Sequence, residues 1–126
     1  MYTEKVIELF RNPQNMGKIE NPSGVGKVGN PKCGDVMWIY IKVDNGVIKD
    51  CKFETFGCVA AIATSSVVTQ LVKGKTIEEA LRVTNKDVVK ELGGLPPIKH
   101  HCSLLAEEGV KAAIQDYLDR QKEERS

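Results

Sequence analysis

The chain is 126 residues long, 41% hydrophobic and 28% charged, a composition that excludes disorder and fibrous repeats and suits a single compact domain over residues 1–126. Eighteen basic residues stand against 17 acidic ones, so no strong field exists to gather nucleic acid or anionic lipid. The longest apolar run, Val59 to Ala63, is far too short to span a bilayer. The charged start also lacks the apolar core and cleavage site of a signal peptide, and the expectation is a cytoplasmic chain that binds neither nucleic acid nor membrane.

Residues Tyr2 to Arg11 place Val6, Ile7 and Phe10 at helical spacing, with Thr3 as N-cap and a stop at Asn12 before Pro13. The Gly-, Pro- and Asn-rich stretch from Asn12 to Asn30 reads as an irregular connection with a short strand near Val25 to Val28. Val36 to Val43 is a strand of β-branched and aromatic residues with Met37, Ile39, Ile41 and Val43 on one face. Asp44-Asn45-Gly46 supplies the turn of a tight hairpin, and Val47 to Phe56 returns with Val47, Cys51 and Phe53 on the inward face.

After Gly57-Cys58 the period changes. Ala60, Ala61, Ala63, Val67, Val68, Leu71 and Val72 predict a largely buried helix closed by Gly74, with Cys58 at its N-terminus. Two short helices follow, Thr76 to Val83 with Thr76 and Glu79 as a capping pair, and Asn85 to Leu92 with Asn85 as N-cap. A break at Leu95-Pro96-Pro97 precedes a last helix from about Ser103 to Gln121. Ala106, Val110, Ala113, Ile114 and Tyr117 form its buried face, Glu107 and Glu108 lie near its positive end, and Cys102 stands just ahead of it. The layout is α+β: a small, mainly antiparallel sheet of about three strands, helices on one face, and a long C-terminal helix.

A reducing compartment turns four cysteines toward metal binding or thiol chemistry. No two lie closer than Cys51 and Cys58, which removes the local C-x-x-C pairs of zinc ribbons, ferredoxins and thioredoxin-like enzymes. Spacing alone leaves a shared metal site and separate buried thiols both open. Local context is more informative. Cys33 sits in a Pro-Lys-Cys-Gly-Asp loop where Asp35 brings a hard oxygen two residues from a soft thiolate, although Asp35 also reads as a turn residue. Cys58 and Cys102 each precede a helix, whose free N–H groups and dipole favour the reactive thiolate. Cys51 groups with Phe53 and reads as core filling. His100 and His101 adjoin Cys102 as metal ligands, hydrogen-bond donors or plain surface residues, and Lys99 reads as a surface charge or a thiolate partner.

Tyr-Thr-Glu-Lys-Val at 2–6, Asn-Pro-Gln-Asn-Met-Gly at 12–17, Cys-Gly-Asp-Val-Met at 33–37, Thr-Phe-Gly-Cys at 55–58 and Lys-His-His-Cys-Ser at 99–103 together resemble an iron–sulfur cluster scaffold of the IscU type, also the N-terminal domain of NifU, over almost the whole chain. The resemblance implies an α+β, SufE/NifU-like scaffold that is not an enzyme. On it, Cys33, Cys58 and Cys102 assemble a transient [2Fe–2S] cluster from iron and the sulfur of a cysteine desulfurase, then pass it to apo iron–sulfur acceptor proteins. Asp35 and His101 match auxiliary ligand positions, and which of them is the fourth ligand stays open. Cys102 is the expected sulfur acceptor, zinc an expected occupant of the purified form, and a homodimer an added expectation. Leu95, Pro96, Pro97, Ile98 and Lys99 resemble the segment by which an Hsp70-type chaperone recognises such scaffolds, and read equally as a rigid linker. Val59-Ala60-Ala61 departs from the Gly-Ser-Ala of many members, and Cys51 adds a thiol. Two other readings compete: a structural zinc domain using the same side chains, and a SufE-like sulfur-transfer protein with one acceptor cysteine.

Overall fold

The computed structural model describes residues 2–30 and 35–125. In chain order the elements are α1 (Glu4–Arg11), β1 (Gly24–Asn30), β2 (Asp35–Asp44), β3 (Val47–Phe56), α2 (Val59–Val72), α3 (Ile77–Leu81), α4 (Asn85–Glu91) and α5 (His100–Arg125). The three strands form one antiparallel sheet in the order β1-β2-β3, and the main core lies between that sheet and α2 and α5. The α+β layout is as expected, and β1 is longer at both ends than the Val25–Val28 expected. Among the described residues no helix is long and apolar enough to cross a membrane.

The hairpin follows directly from its turn. Asn45 and Gly46 take φ values of 52° and 75°, the left-handed pair that matches strand twist in a two-residue turn. Ile39 then faces Phe53 and Ile41 faces Cys51, all fully buried. Near the turn the register slips: Lys42 pairs with Asp50 but Val43 pairs with Ile48, leaving Lys49 as the extra residue of a β-bulge. The slip puts Ile48 on the inward face in place of Val47, which is half-buried. The face away from the helices carries Trp38 edge-on to Phe56, ring centroids 5.8 Å apart, and Tyr40 donating to Glu54 at 2.6 Å.

Thr3 caps α1 by accepting from the Val6 amide. The inward residues of α1 are Val6 and Leu9, while Phe10 is exposed, because the helix meets α2 through a narrow stripe three residues apart. In α2 the hydroxyl residues Thr64, Ser65, Ser66 and Thr69 are buried; Thr64 and Ser65 donate their hydroxyls to the carbonyls of Ala60 and Ala61, so their burial leaves no unpaired oxygen. Thr76 and Glu79 form the expected capping box of α3. The cap of α4 is Thr84 rather than Asn85, its amide donating to Asp87.

α5 begins earlier and ends later than expected. Pro97–Lys99 forms a 3₁₀ turn whose carbonyls are taken up by the entering helix, with the His100 amide on the Pro97 carbonyl, and proline's fixed φ suits such a first turn. Cys102 is therefore inside the first turn of α5, and Glu107 lies beyond that turn, accepting from the Asn85 amide and Lys111. α5 packs unusually close to β1: a Cβ on Gly26 would fall 2.3 Å from the Gly109 carbonyl oxygen, and one on Gly24 2.2 Å from that of Ala113.

Candidate metal centre

Antiparallel pairing brings the start of β2 beside the end of β3, with Val36 opposite Phe56. Asp35 opens β2, and two residues beyond β3 Cys58 is the N-cap of α2. Gly57 makes that passage fit, since a Cβ there would lie 2.8 Å from both the Asp35 carboxylate and the Ala61 methyl. The 3₁₀ turn delivers His101 and Cys102 to the same edge. His101 is held at both nitrogens: Nδ1 is 3.1 Å from the Ile98 carbonyl and Nε2 is 3.0 Å from Asp35 Oδ2. Nε2 also stands 3.5 Å from Cys102 Sγ.

Ligand atoms of Asp35, Cys58 and Cys102 all lie within 4.8 Å of one another. The two sulfurs are 4.0 Å apart, twice a disulfide length and near the ~3.8 Å that separates two thiolates on one tetrahedral metal with bonds of about 2.3 Å. Two soft sulfurs, a hard carboxylate and an imidazole beside them suit iron or zinc. Asp35, Lys99 and His101, with Leu104, Leu105, Glu108 and Gly29, line an open pocket of about 600 Å³ next to these atoms.

The two thiols differ in surroundings. Cys58 is half-buried, while Cys102 is fully buried and its pKa is pushed up to about 12, first by desolvation and then by the charge of Cys58. The expectation that a helix start lowers the Cys102 pKa is thus reversed: burial outweighs the dipole. Lys99 has its pKa raised, chiefly by the negative charge of Cys58 and next by Tyr2, consistent with its reading as a thiolate partner.

Of the residues singled out from the sequence, Asp35, Cys58, His101 and Cys102 come together, and Cys33 lies outside the described residues. Cys51 belongs to the main core, its pKa raised to about 12 by burial, as its place beside Phe53 implies. His100 points its Nε2 at the Leu95 carbonyl, 3.0 Å away. Leu95 and Lys99 border the site, while Ile98 between them is 80% exposed. Tyr2 and Leu95 pack, together with Cys58, against a small buried group of Ala60, Ala61 and Cys102. No local pattern signals that role for Tyr2, because the contact joins opposite ends of the chain.

The model of the NifU-like N-terminal domain matches residues 1–124. The chain belongs to that family. It is 60% identical to iron–sulfur cluster assembly scaffold protein IscU 1 of Archaeoglobus fulgidus over 93% of this chain and 76% of that protein. It is 52% identical to the scaffold protein IscU of Haemophilus influenzae over 95% and 98%. The relative in Drosophila melanogaster, 52% identical over 97% and 81%, is named an iron–sulfur cluster assembly enzyme. In fold the chain is similar to the N-terminal part of a NifU-like protein from Brucella abortus, with a TM-score of 0.72, 24% identity and 94% of each chain covered.

Proposed function

We propose that this member of the NifU-like family is a scaffold on which a transient [2Fe–2S] cluster is built and from which it is passed to apo iron–sulfur proteins. The observation that supports this reading is the convergence of Asp35, Cys58 and Cys102, two thiols and one carboxylate, beside an open pocket, a mixed donor set that holds a cluster less firmly than four thiolates. Cys33 completes the thiolates in this reading, and Asp35 or His101 supplies the remaining bond. A carboxylate or imidazole is a poorer cluster ligand than thiolate, which favours release.

Sulfur enters as a persulfide on a cysteine desulfurase. The Cys102 thiolate attacks the terminal sulfur, the donor's S–S bond breaks and its thiolate leaves, so that Cys102 carries the persulfide. Two electrons from a one-electron carrier protein then cleave that bond, giving sulfide and restoring the Cys102 thiolate. The chain consumes no small-molecule substrate of its own and is read as a non-enzyme acting in the cytoplasm, free of nucleic acid and membrane. The exposed Pro97–Lys99 turn suits capture of Leu95 to Lys99 by an Hsp70-type chaperone, and a homodimer would shield the cluster edge.

The test is anaerobic reconstitution with ferrous iron, cysteine and a desulfurase, followed by transfer to an apo-ferredoxin. Visible absorption of a transferable cluster, lost on replacing Cys33, Cys58 or Cys102 by Ser and kept with Cys51→Ser, is the expected result. Tight zinc with no cluster would instead establish the structural-zinc reading, and dependence on Cys102 alone the SufE-like one.

A further inference from the structure

Cys102 is the expected sulfur acceptor, yet no part of it reaches solvent. Attack on a persulfide requires sulfur to approach sulfur in line with the bond that breaks, and a thiol without exposed surface cannot meet a donor held on another protein. We propose that Tyr2 and Leu95 form a movable cover over Cys102, so that Tyr2 controls when this thiol is open to a sulfur donor. The inference rests on the reading of Cys102 as the acceptor.

The walls of the Cys102 site are unequal. Ala60 and Ala61 belong to α2, a long helix embedded in the core, and cannot withdraw. Tyr2 lies one residue ahead of the α1 cap, and Leu95 lies in the irregular connection after Gly93 and Gly94; both are only half-buried. Cys102, Ala60 and Ala61 form a satellite group separate from the main core; Tyr2 and Leu95 pack against both, at a margin of the kind that opens locally while the rest stays folded.

Two hydrogen bonds hold the cover in place. The Thr3 hydroxyl donates to the Leu92 carbonyl, fastening the chain start to the end of α4, and His100 Nε2 meets the Leu95 carbonyl. The first bond is made by the residue beside Tyr2 and the second by the carbonyl of Leu95 itself, so each side of the cover is held by its own tie. Cys58, half-buried, stays reachable in the closed form.

The proposal is tested by alkylating the metal-free protein with iodoacetamide and following each cysteine by peptide mass spectrometry. In the wild type Cys102 reacts at least tenfold more slowly than Cys58. Tyr2→Ala and Leu95→Ala each raise the Cys102 rate tenfold or more, Tyr2→Phe keeps it slow, and Cys51 stays slow throughout. The protection of Cys102 is greater against a bulky maleimide dye than against methyl methanethiosulfonate. Equal rates at Cys58 and Cys102 in the wild type, no change in either alanine variant, protection independent of reagent size, or a rise at Cys51 in step with Cys102 would each overturn it. Because neither iron nor desulfurase is present, this outcome is separate from that of reconstitution.

Discussion

Cys51 and Cys102 are both fully buried thiols, but their neighbours give them different work. Cys51 is packed against the sheet interior opposite Ile41, and burial lifts its pKa from 9.0 to about 12. The native state therefore holds this proton more tightly than the unfolded chain. Its contribution to stability is fully present below pH 9 and is lost as pH rises toward 12, by up to ~1.4 kcal/mol per pH unit. Cys51→Ala removes this dependence and creates a small cavity costing about 1–2 kcal/mol near neutrality. Urea midpoints at pH 8 and pH 10.5 should therefore fall less steeply in the variant than in the wild type, whereas parallel declines would show that Cys51 does not hold its proton. The role of Cys51 was legible from strand alternation alone. The burial of Cys102 was not, because it arises where Ala60 and Ala61 meet it with Tyr2 and Leu95 packed against the same group, and no helical or strand period connects those residues to residue 102.

At the scale of elements, what reads well is what is settled locally. Asn45-Gly46 can hardly do other than turn a hairpin, Cys58 stands where strand period gives way to helix period, and Thr76 with Glu79 writes its own capping box. What reads poorly is settled between elements. The bulge at Lys49 moves Ile48 inward where simple alternation chooses Val47, and α5 starts at His100 because a 3₁₀ turn feeds it, without any capping side chain to mark the place. The contact of α5 with β1 is of the same kind. Gly26 falls in the expected short strand and Gly24 just ahead of it, but nothing in the sequence marks them as the places where helix backbone meets strand backbone. A methyl group at Gly26 must push α5 away, and since α5 carries His101 and Cys102 the shift reaches the metal centre. Gly26→Ala is expected to cost about 2–3 kcal/mol in denaturant unfolding and to weaken zinc binding by the folded protein. A variant as stable as the wild type would mean that α5 can slide along β1 freely.

For the molecule as a whole, the decisive relation is between the core and the metal centre. None of Asp35, Cys58, His101 and Cys102 belongs to the main core, which runs from Val6 on α1 through the sheet to Ile114 on α5. A protein built this way folds on its apolar interior and leaves these candidate ligands at one edge, an arrangement in which loading and unloading a metal need not unfold it. That separates it from a structural zinc domain, in which metal binding and folding are one event. Zinc bound at 100 times its dissociation constant would still add about 2.7 kcal/mol through mass action, so a chelator should lower the unfolding midpoint. It should not erase the transition. After removal of zinc with a strong chelator, far-UV circular dichroism is expected to be unchanged at 25 °C and urea unfolding to remain cooperative, with a lower midpoint restored on adding zinc back. Loss of helical signal at the moment of chelation would instead place the metal among the forces that fold the chain, and a scaffold that must release its cargo intact could not be built on such a site.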